Sequence, residues 1–386
     1  MRTVAIGDLH LSSHTPREVA SDAAALVRQH RGDRIVFVGD LLDLSADVPR
    51  VPSSRAIEEG LGAYPELCRA LAEHVDAGGE LRFVAGNHDP ELGGDDAPVR
   101  IADVLDLRGV ARQRIETTPW FFHEDGVHVE HGHLYDPDNA PAHPLVVPSG
   151  SLGVHFVEEF IAPTGAYAYL NKNDGTPLEL FLSAFRFYGP RGPYVVYRYF
   201  HAAALALTKA GPFFAGTKER ARGRELMDAF LEGVAAEPAL VEALLAQAVT
   251  PTMESLRGTL ARLYLDRVSG TIASATGLAL LLAGKWRWGA ALAAVGAAAL
   301  ATSWSMGHDR YGGHVDRRLA DAGERLADAT GASVVLFGHA HVATSSERYK
   351  NTGSFAFPKK EPGRPYVVVE RGGFGPRAER RWFGAG

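Results

Sequence analysis

Three short apolar runs, "TVAI" (residues 3–6), "RIVFV" (34–38) and "ELRFVA" (80–85), each end in a glycine followed at once by polar side chains, in "GDLH", "GDLLD" and "GNHD". Their apolar and β-branched content marks them as buried strands. The stretches between them have helical periodicity. "TPREVASDAAALVRQHR" offers Thr15 as N-cap, Pro16 at the first helical position, and apolar residues at Val19, Ala23, Leu26 and Val27. "AIEEGLGAYPELCRALAEHVDAG" supplies one or two helices that stop at Gly78. This strand and helix alternation argues for a layered α/β domain.

"PWFFHEDGVHVEHG" then reads as a hairpin turning at Asp125-Gly126. Near the other end, "ASVVLFGHAH" is a buried strand running into a histidine pair, and "RPYVVVERG" is a further strand. Residues 1–141 and 309–386 are therefore expected to build one domain between them.

Residues 142–308 change texture, first aromatic ("RFYGPRGPYVVYRYFH") and then rich in Ala and Leu, with Pro and Gly punctuation. They read as a mostly helical insertion. Inside it, 268–306 forms an apolar hairpin whose uncharged arms, 268–284 and 289–306, are joined through "KWRW". Each arm is at the short edge of the roughly 17–25 residues that a membrane span needs. Gly289, Ala293, Gly296 and Ala297 would let two helices approach closely in lipid. The expectation is membrane association through this hairpin, with packing in a soluble core or dimer interface as the alternative. Arg262, Arg267, Arg310, Arg317 and Arg318 flank it, against Lys285 and Arg287 in its turn. If it spans, this asymmetry puts the rest of the chain on the cytoplasmic side.

A formal charge of -6 disfavours a protein that tracks nucleic-acid backbones. The single cysteine, Cys68, sits in an apolar-periodic run and reads as a core thiol in a reducing compartment. The N-terminus shows no signal-peptide pattern, which fits a cytoplasmic location.

The chemistry-bearing residues share one placement. Asp8, His10, Asp40, Asn87, His131, His339 and His341 all follow the C-terminal end of a predicted strand, where α/β sheets gather their ligands. In an extended backbone, residues two apart point the same way, so Asp8 and His10 are expected to face one ion. Seven donors suffice for two ions if one carboxylate bridges. A nitrogen and oxygen set without thiolates suits manganese, iron, zinc or nickel better than magnesium or calcium, without choosing among the four.

The ordered series D-x-H, G-D-x-x-D, G-N-H-D, H-G-H and G-H-x-H resembles the calcineurin-like metallophosphoesterase family, over residues 1 to about 140 and about 309 to 366. The resemblance implies a four-layer αββα sandwich carrying a large helical insertion. It also implies one ion on Asp8, His10, Asp40 and His341, and a second on Asp40, Asn87, His131 and His339, with Asp40 shared. Such ions polarise a phosphoryl group and lower the pKa of a water. His88 is left over, and the resemblance gives it the phosphoryl oxygen or the leaving group, with Asp89 orienting its ring. Asp43 is expected to buttress a ligand histidine. His133 is left between a structural or substrate-side role and ligation. His14, His123 and His128 are read as non-ligands.

The expected reaction is hydrolysis of a phosphomonoester, phosphodiester or pyrophosphate in a small-molecule, lipid-linked or amphipathic substrate. Arg186, Arg191 and Arg198 could grip a second phosphate. The helical insertion is also similar to that of UDP-2,3-diacylglucosamine pyrophosphatases, with one departure: that group usually has arginine where this chain has His88. The rival readings are a nuclease or nucleotide phosphodiesterase of the same superfamily, and a metal-binding membrane scaffold with a vestigial site.

Overall fold

In the computed structural model, residues 2–146, 150–165, 185–234, 236–305, 315–358, 361–373 and 375–384 are described. The chain divides into two compact units, Met1–Pro163 with Gly216–Pro251 and His314–Gly386, and Thr164–Ala215 with Thr252–Gly313.

The first unit contains two sheets. Strands β1 (Thr3–Ile6), β2 (Arg34–Val38), β3 (Glu80–Val84) and β4 (Ile115–Thr118) run parallel. The second sheet holds β5 (Phe121–Glu124), β6 (Val127–Glu130), β7 (Val334–Phe337) and β8 (Tyr349–Asn351), in that order. The C-terminal strands β9 (Arg364–Gly372) and β10 (Gly375–Phe383) extend the first sheet antiparallel beyond β1, giving the order β10-β9-β1-β2-β3-β4. Strand β4 carries only Ile115 as a large apolar residue, in "IETT", and gave no clear signal in the sequence.

Strand alternation generates the layers. On β2, Ile35 and Phe37 enter one core, whereas Val36 and Val38 enter another, because successive side chains leave opposite faces of a pleated sheet. The first core lies under helices α1 (Arg17–Gln29), α2 (Ala56–Gly62), α3 (Pro65–Asp76) and α4 (Ala97–Val104). The second is all strand residues, among them Ala5, Val84, Val129, Leu336 and Val367, and joins sheet to sheet. A third covers the outer face of β5–β8 with helix Val315–Thr330 and residues of 226–248. Three cores between four layers make the αββα sandwich.

Two local expectations are corrected. Thr15 does not cap α1: the cap position is Pro16, with no side-chain bond, and the Thr15 hydroxyl donates to the His10 carbonyl. It pins the loop after β1 instead. The Asp125-Gly126 turn is present, with both residues at positive φ (55° and 75°), as a two-residue hairpin connection requires. Cys68 is buried, donates to the Leu61 carbonyl (3.2 Å), and burial pushes its thiol up to about 11.

The expected insertion over 142–308 is divided. Residues 142–163 and 216–251 belong with the sheets. Phe230 stacks on Trp120 with ring centroids 5.9 Å apart, and Val241 and Leu244 pack with Leu319 and Leu326. Their apolar faces cover a sheet that would otherwise be bare. Within the second unit, helices Leu265–Leu282 and Trp286–Ser305 form the apolar hairpin expected over 268–306, save Met306, which lies outside the described residues. None of the described helices is long and apolar enough to cross a membrane. The spanning reading is thereby corrected, and the orientation argument falls with it. The arms are built largely of Ala, Gly, Ser and Thr, which dilute the hydropathy that a span requires.

Leu244→Ala should lower the stability of the sheet-containing unit by about 2–5 kcal/mol, the usual range for a buried leucine. Urea unfolding checks this, and an unchanged transition would place the Gly216–Val234 and Pro238–Leu245 helices outside its cooperative unit.

Candidate metal centre

Every residue of the expected set lies just past the C-terminal end of a strand, where β1, β2 and β3 of one sheet and β6 and β7 of the other terminate. Asp8 and His10 follow β1, Asp40 follows β2, Asn87 and His88 follow β3, His131 follows β6, and His339 and His341 follow β7. The polypeptide bends sharply at these points. Asp8, His10, Asp40, His339 and His341 have φ of 56°, 45°, 50°, 67° and 54°, and only three other described non-glycine residues are at positive φ. Such conformations cost of order 1–3 kcal/mol each and persist where surrounding contacts over-determine them.

They also correct the reason given for the D-x-H pair. Asp8 and His10 are not in extended backbone. Two consecutive reversals bring His10 Nε2 to 3.9 Å from Asp8 Oδ1, and the amides of Asp8 and His10 donate to the carbonyls of Gly39 and Asp40.

Two donor groups result. Atoms of Asp8, His10, Asp40 and His341 lie within 4.8 Å of one another, as do those of Asp40, His131 and His339. In the first, His341 Nε2 is 2.9 Å from His10 Nε2 and 3.2 Å from Asp8 Oδ1. In the second, His131 Nε2 is 3.2 Å from Asp40 Oδ2 and 3.1 Å from Asn87 Oδ1. Asp40 belongs to both. Two imidazole nitrogens facing each other beside carboxylates make a donor set that fits divalent ions, since a cation would satisfy all of them at once.

Other contacts set the orientations. His131 Nδ1 donates to the Val38 carbonyl (2.8 Å), which frees Nε2 for the cluster. The His88 amide donates to Asp40 Oδ1 (2.9 Å), and the His339 amide to both oxygens of Asp8 (3.1 Å each). His339 Nε2 is engaged by Asp136 Oδ2 at 3.0 Å, and the Asn87 side-chain amide donates to Asn139 Oδ1 (3.3 Å). Gly86 has no room for a side chain, because a Cβ there would collide with the Asp40 carboxylate and amide.

Asp89 is corrected. It was expected beside the His88 ring, but its carboxylate accepts the amides of Asp40 (3.2 Å), Leu42 (3.0 Å) and Gly86 (2.7 Å). It fastens the loop after β2 to the loop after β3. The His88 partner is Asp43, whose Oδ1 is 3.0 Å from His88 Nδ1, together with Ser45 Oγ at 3.0 Å. Asp43 also lies 3.7 Å from His10 Nδ1. A third cluster of donors, His10, Asp43 and His88, is thus centred on Asp43, hydrogen-bonded to His88 and ion-paired with His10. Asp136, Asn139 and Ser45 were missed in the sequence, where nothing but proximity to "HGH" and "GDLLD" marks them.

His133 belongs to neither donor group. Its ring centroid is 5.4 Å from that of His131 and 6.4 Å from that of His339. Burial, then these two histidines, hold its pKa well below the ordinary value. Arg186, Arg191 and Arg198 lie in the second unit.

The carboxylates favour the charged forms of His10, His88 and His131 against burial. Burial opposes charge on His131, but Asp40 outweighs it and lifts the pKa to about 9. For His88, burial is likewise outweighed by Asp43 and Asp40, to about 10. Asp40 is held well below its ordinary value, burial being overcome by His131 and His88. A proton must leave His131 before Nε2 can hold an ion. Divalent-ion affinity should therefore rise with pH up to about pH 9, and binding near neutrality should release protons. Calorimetry in buffers of different ionisation enthalpy measures both, and a pH-independent affinity without proton release would exclude His131 from the binding set.

None of the curated proteins matches the chain. The family model for calcineurin-like phosphoesterases matches residues 1–204, more than half of the 386, a family that typically uses two divalent ions. With the donor groups described above, this match shows that the chain belongs to the calcineurin-like phosphoesterase family, whose general chemistry is metal-dependent hydrolysis of phosphoesters.

Proposed function

We propose that this chain hydrolyses a phosphomonoester, phosphodiester or pyrophosphate bond with two divalent ions, manganese being the first candidate. One would be held by Asp8, His10, Asp40 and His341, the other by Asp40, Asn87, His131 and His339. The observation that carries this reading is the sharing of Asp40 by two donor groups at the ends of strands from both sheets. Ions bound there would polarise a phosphoryl group and lower the pKa of a water poised to attack it.

The chain's own residues supply the rest. Asp40 offers one carboxylate to both groups while its Oδ1 is fixed by the His88 amide. His88 has Nδ1 committed to Asp43 and Ser45, and Asp43 and Asp40 favour its charged form against burial, which leaves Nε2 to donate to a phosphoryl oxygen or a leaving group. Asp43 sustains that charge. Asp89 is a positioning residue, acting through the backbone of both loops. Asp136 holds His339 by Nε2, which leaves Nδ1 for an ion. The exposed apolar surface of the second unit supports a lipid-linked or amphipathic substrate. The similarity to UDP-2,3-diacylglucosamine pyrophosphatases rests on the helical insertion with its apolar hairpin and on the catalytic core, and His88 is the departure from it.

A manganese-supplemented panel of aryl phosphates, aryl phosphodiesters, nucleoside diphosphate sugars and their acylated counterparts tests the reaction and its substrate class. Asp40→Asn should lower kcat/KM by about 10³-fold or more, and an active variant would overturn the shared-carboxylate arrangement. His88→Asn should lower kcat by about 10²–10⁴-fold while the protein still binds two manganese ions by elemental analysis. Loss of an ion would instead make His88 a ligand.

A further inference from the structure

Helices Leu265–Leu282 and Trp286–Ser305 pack with their smallest residues inward. The buried positions are Gly270 and Gly277 on one, and Gly289, Gly296 and Ser303 on the other, seven apart along each helix. A Cβ on Gly277 would strike the backbone of Ala293. Leu281 and Leu300 lie against the seam glycines, but most of the other large apolar side chains stand outward. Leu282 is 91% exposed, Trp288 77% and Trp286 63%, while Ile272, Leu278, Val295 and Trp304 are each more than half exposed. A helix pair built for water does the opposite and turns its apolar stripe into the seam. Small residues inside and large ones outside is how helices associate in lipid, where burying apolar side chains against each other gains nothing.

Charge follows the same plan. Between 268 and 305 the only charged residues are Lys285 and Arg287, both at the turn and interleaved with Trp286 and Trp288. At the other end, Arg267 lies over the rings of Tyr264 (4.8 Å) and Trp304 (5.1 Å). Aromatic and cationic residues thus border an apolar stretch at both ends, the distribution found at membrane interfaces. The first arm, 268–284, is 17 residues long, roughly 26 Å of helix against a hydrocarbon core of roughly 30 Å, and none of the described helices is long and apolar enough to cross a membrane.

We propose that this hairpin docks along an anionic lipid surface without crossing it. Its outward Leu, Ile, Val and Trp side chains enter the acyl boundary, and Lys285 and Arg287 meet lipid phosphates. The occupant is set by charge complementarity: two cations and no acidic group over 268–305. The inference goes beyond the hydrolase reading and does not depend on it, since its readout is binding. It would hold the enzyme where lipid-borne phosphoesters are concentrated.

Flotation of the full chain tests it, using vesicles of mixed phosphatidylcholine and phosphatidylglycerol and vesicles of phosphatidylcholine alone. The protein should float with the mixed vesicles. Lys285→Gln with Arg287→Gln should weaken this binding about 30-fold, the loss of two surface-attracted cations. Leu282→Ser with Trp288→Ser should abolish flotation while circular dichroism shows the helix content unchanged, since the glycine seam is untouched. Protein that stays unbound with both vesicle types overturns the proposal. So does flotation that the Leu282 and Trp288 substitutions leave intact, or a solution dimer that those substitutions dissociate with no lipid binding in the parent chain.

Discussion

The Asp40 carboxylate is the point on which the site depends. It is 1% exposed, and a buried carboxylate is costly unless every lone pair is answered. The His88 amide answers one oxygen, and the other faces His131 Nε2 at 3.2 Å and His10 Nε2 at 3.7 Å. Each of those partners stands on a different strand end. Satisfying this one anion therefore requires the loops after β1, β2, β3 and β6 to arrive together. Asp89 strengthens the arrangement by taking the amides on either side of it, and Gly86 leaves the space in which the carboxylate sits.

This convergence is possible because both sheets present strand ends to the same place. β1, β2 and β3 are mutually parallel, as are β6 and β7. The wholly apolar core between the sheets holds the two sets in register. Asp8, His10, Asp40 and Asn87 come from one sheet, whereas His131, His339 and His341 come from the other. Five left-handed residues turn the side chains back into the gap. The conformational cost is offset by amide-to-carboxylate bonds such as those from His339 to Asp8.

The helical hairpin of the second unit inverts the usual solution for water. Its seam is glycine and serine and its surface is leucine, isoleucine, valine and tryptophan. Composition alone made it resemble a membrane span, but the arms are too short and too rich in small residues for that. What composition could not show was which side chains face the partner helix, and that is what separates a lipid-facing surface from a buried one.

The sequence by itself determined the layered α/β plan, because buried strands and amphipathic helices carry their periodicity locally. It also placed the candidate ligands, because each lies just past the end of an apolar or alternating strand run, most of them behind a glycine. Only the tertiary structure decided the partners. Asp89 sits next to His88 in the chain but bonds three amides, and Asp43, forty-five residues away, meets the His88 ring. Asp136 acquired its role only when the loops after β6 and β7 met, and Asn139 when the chain after β6 met the loop after β3. The helices of 216–251 likewise read as part of an insertion until their apolar faces were seen against Trp120 and Leu319. Local pattern records which face of an element is apolar, and it carries no record of which distant surface that face will cover.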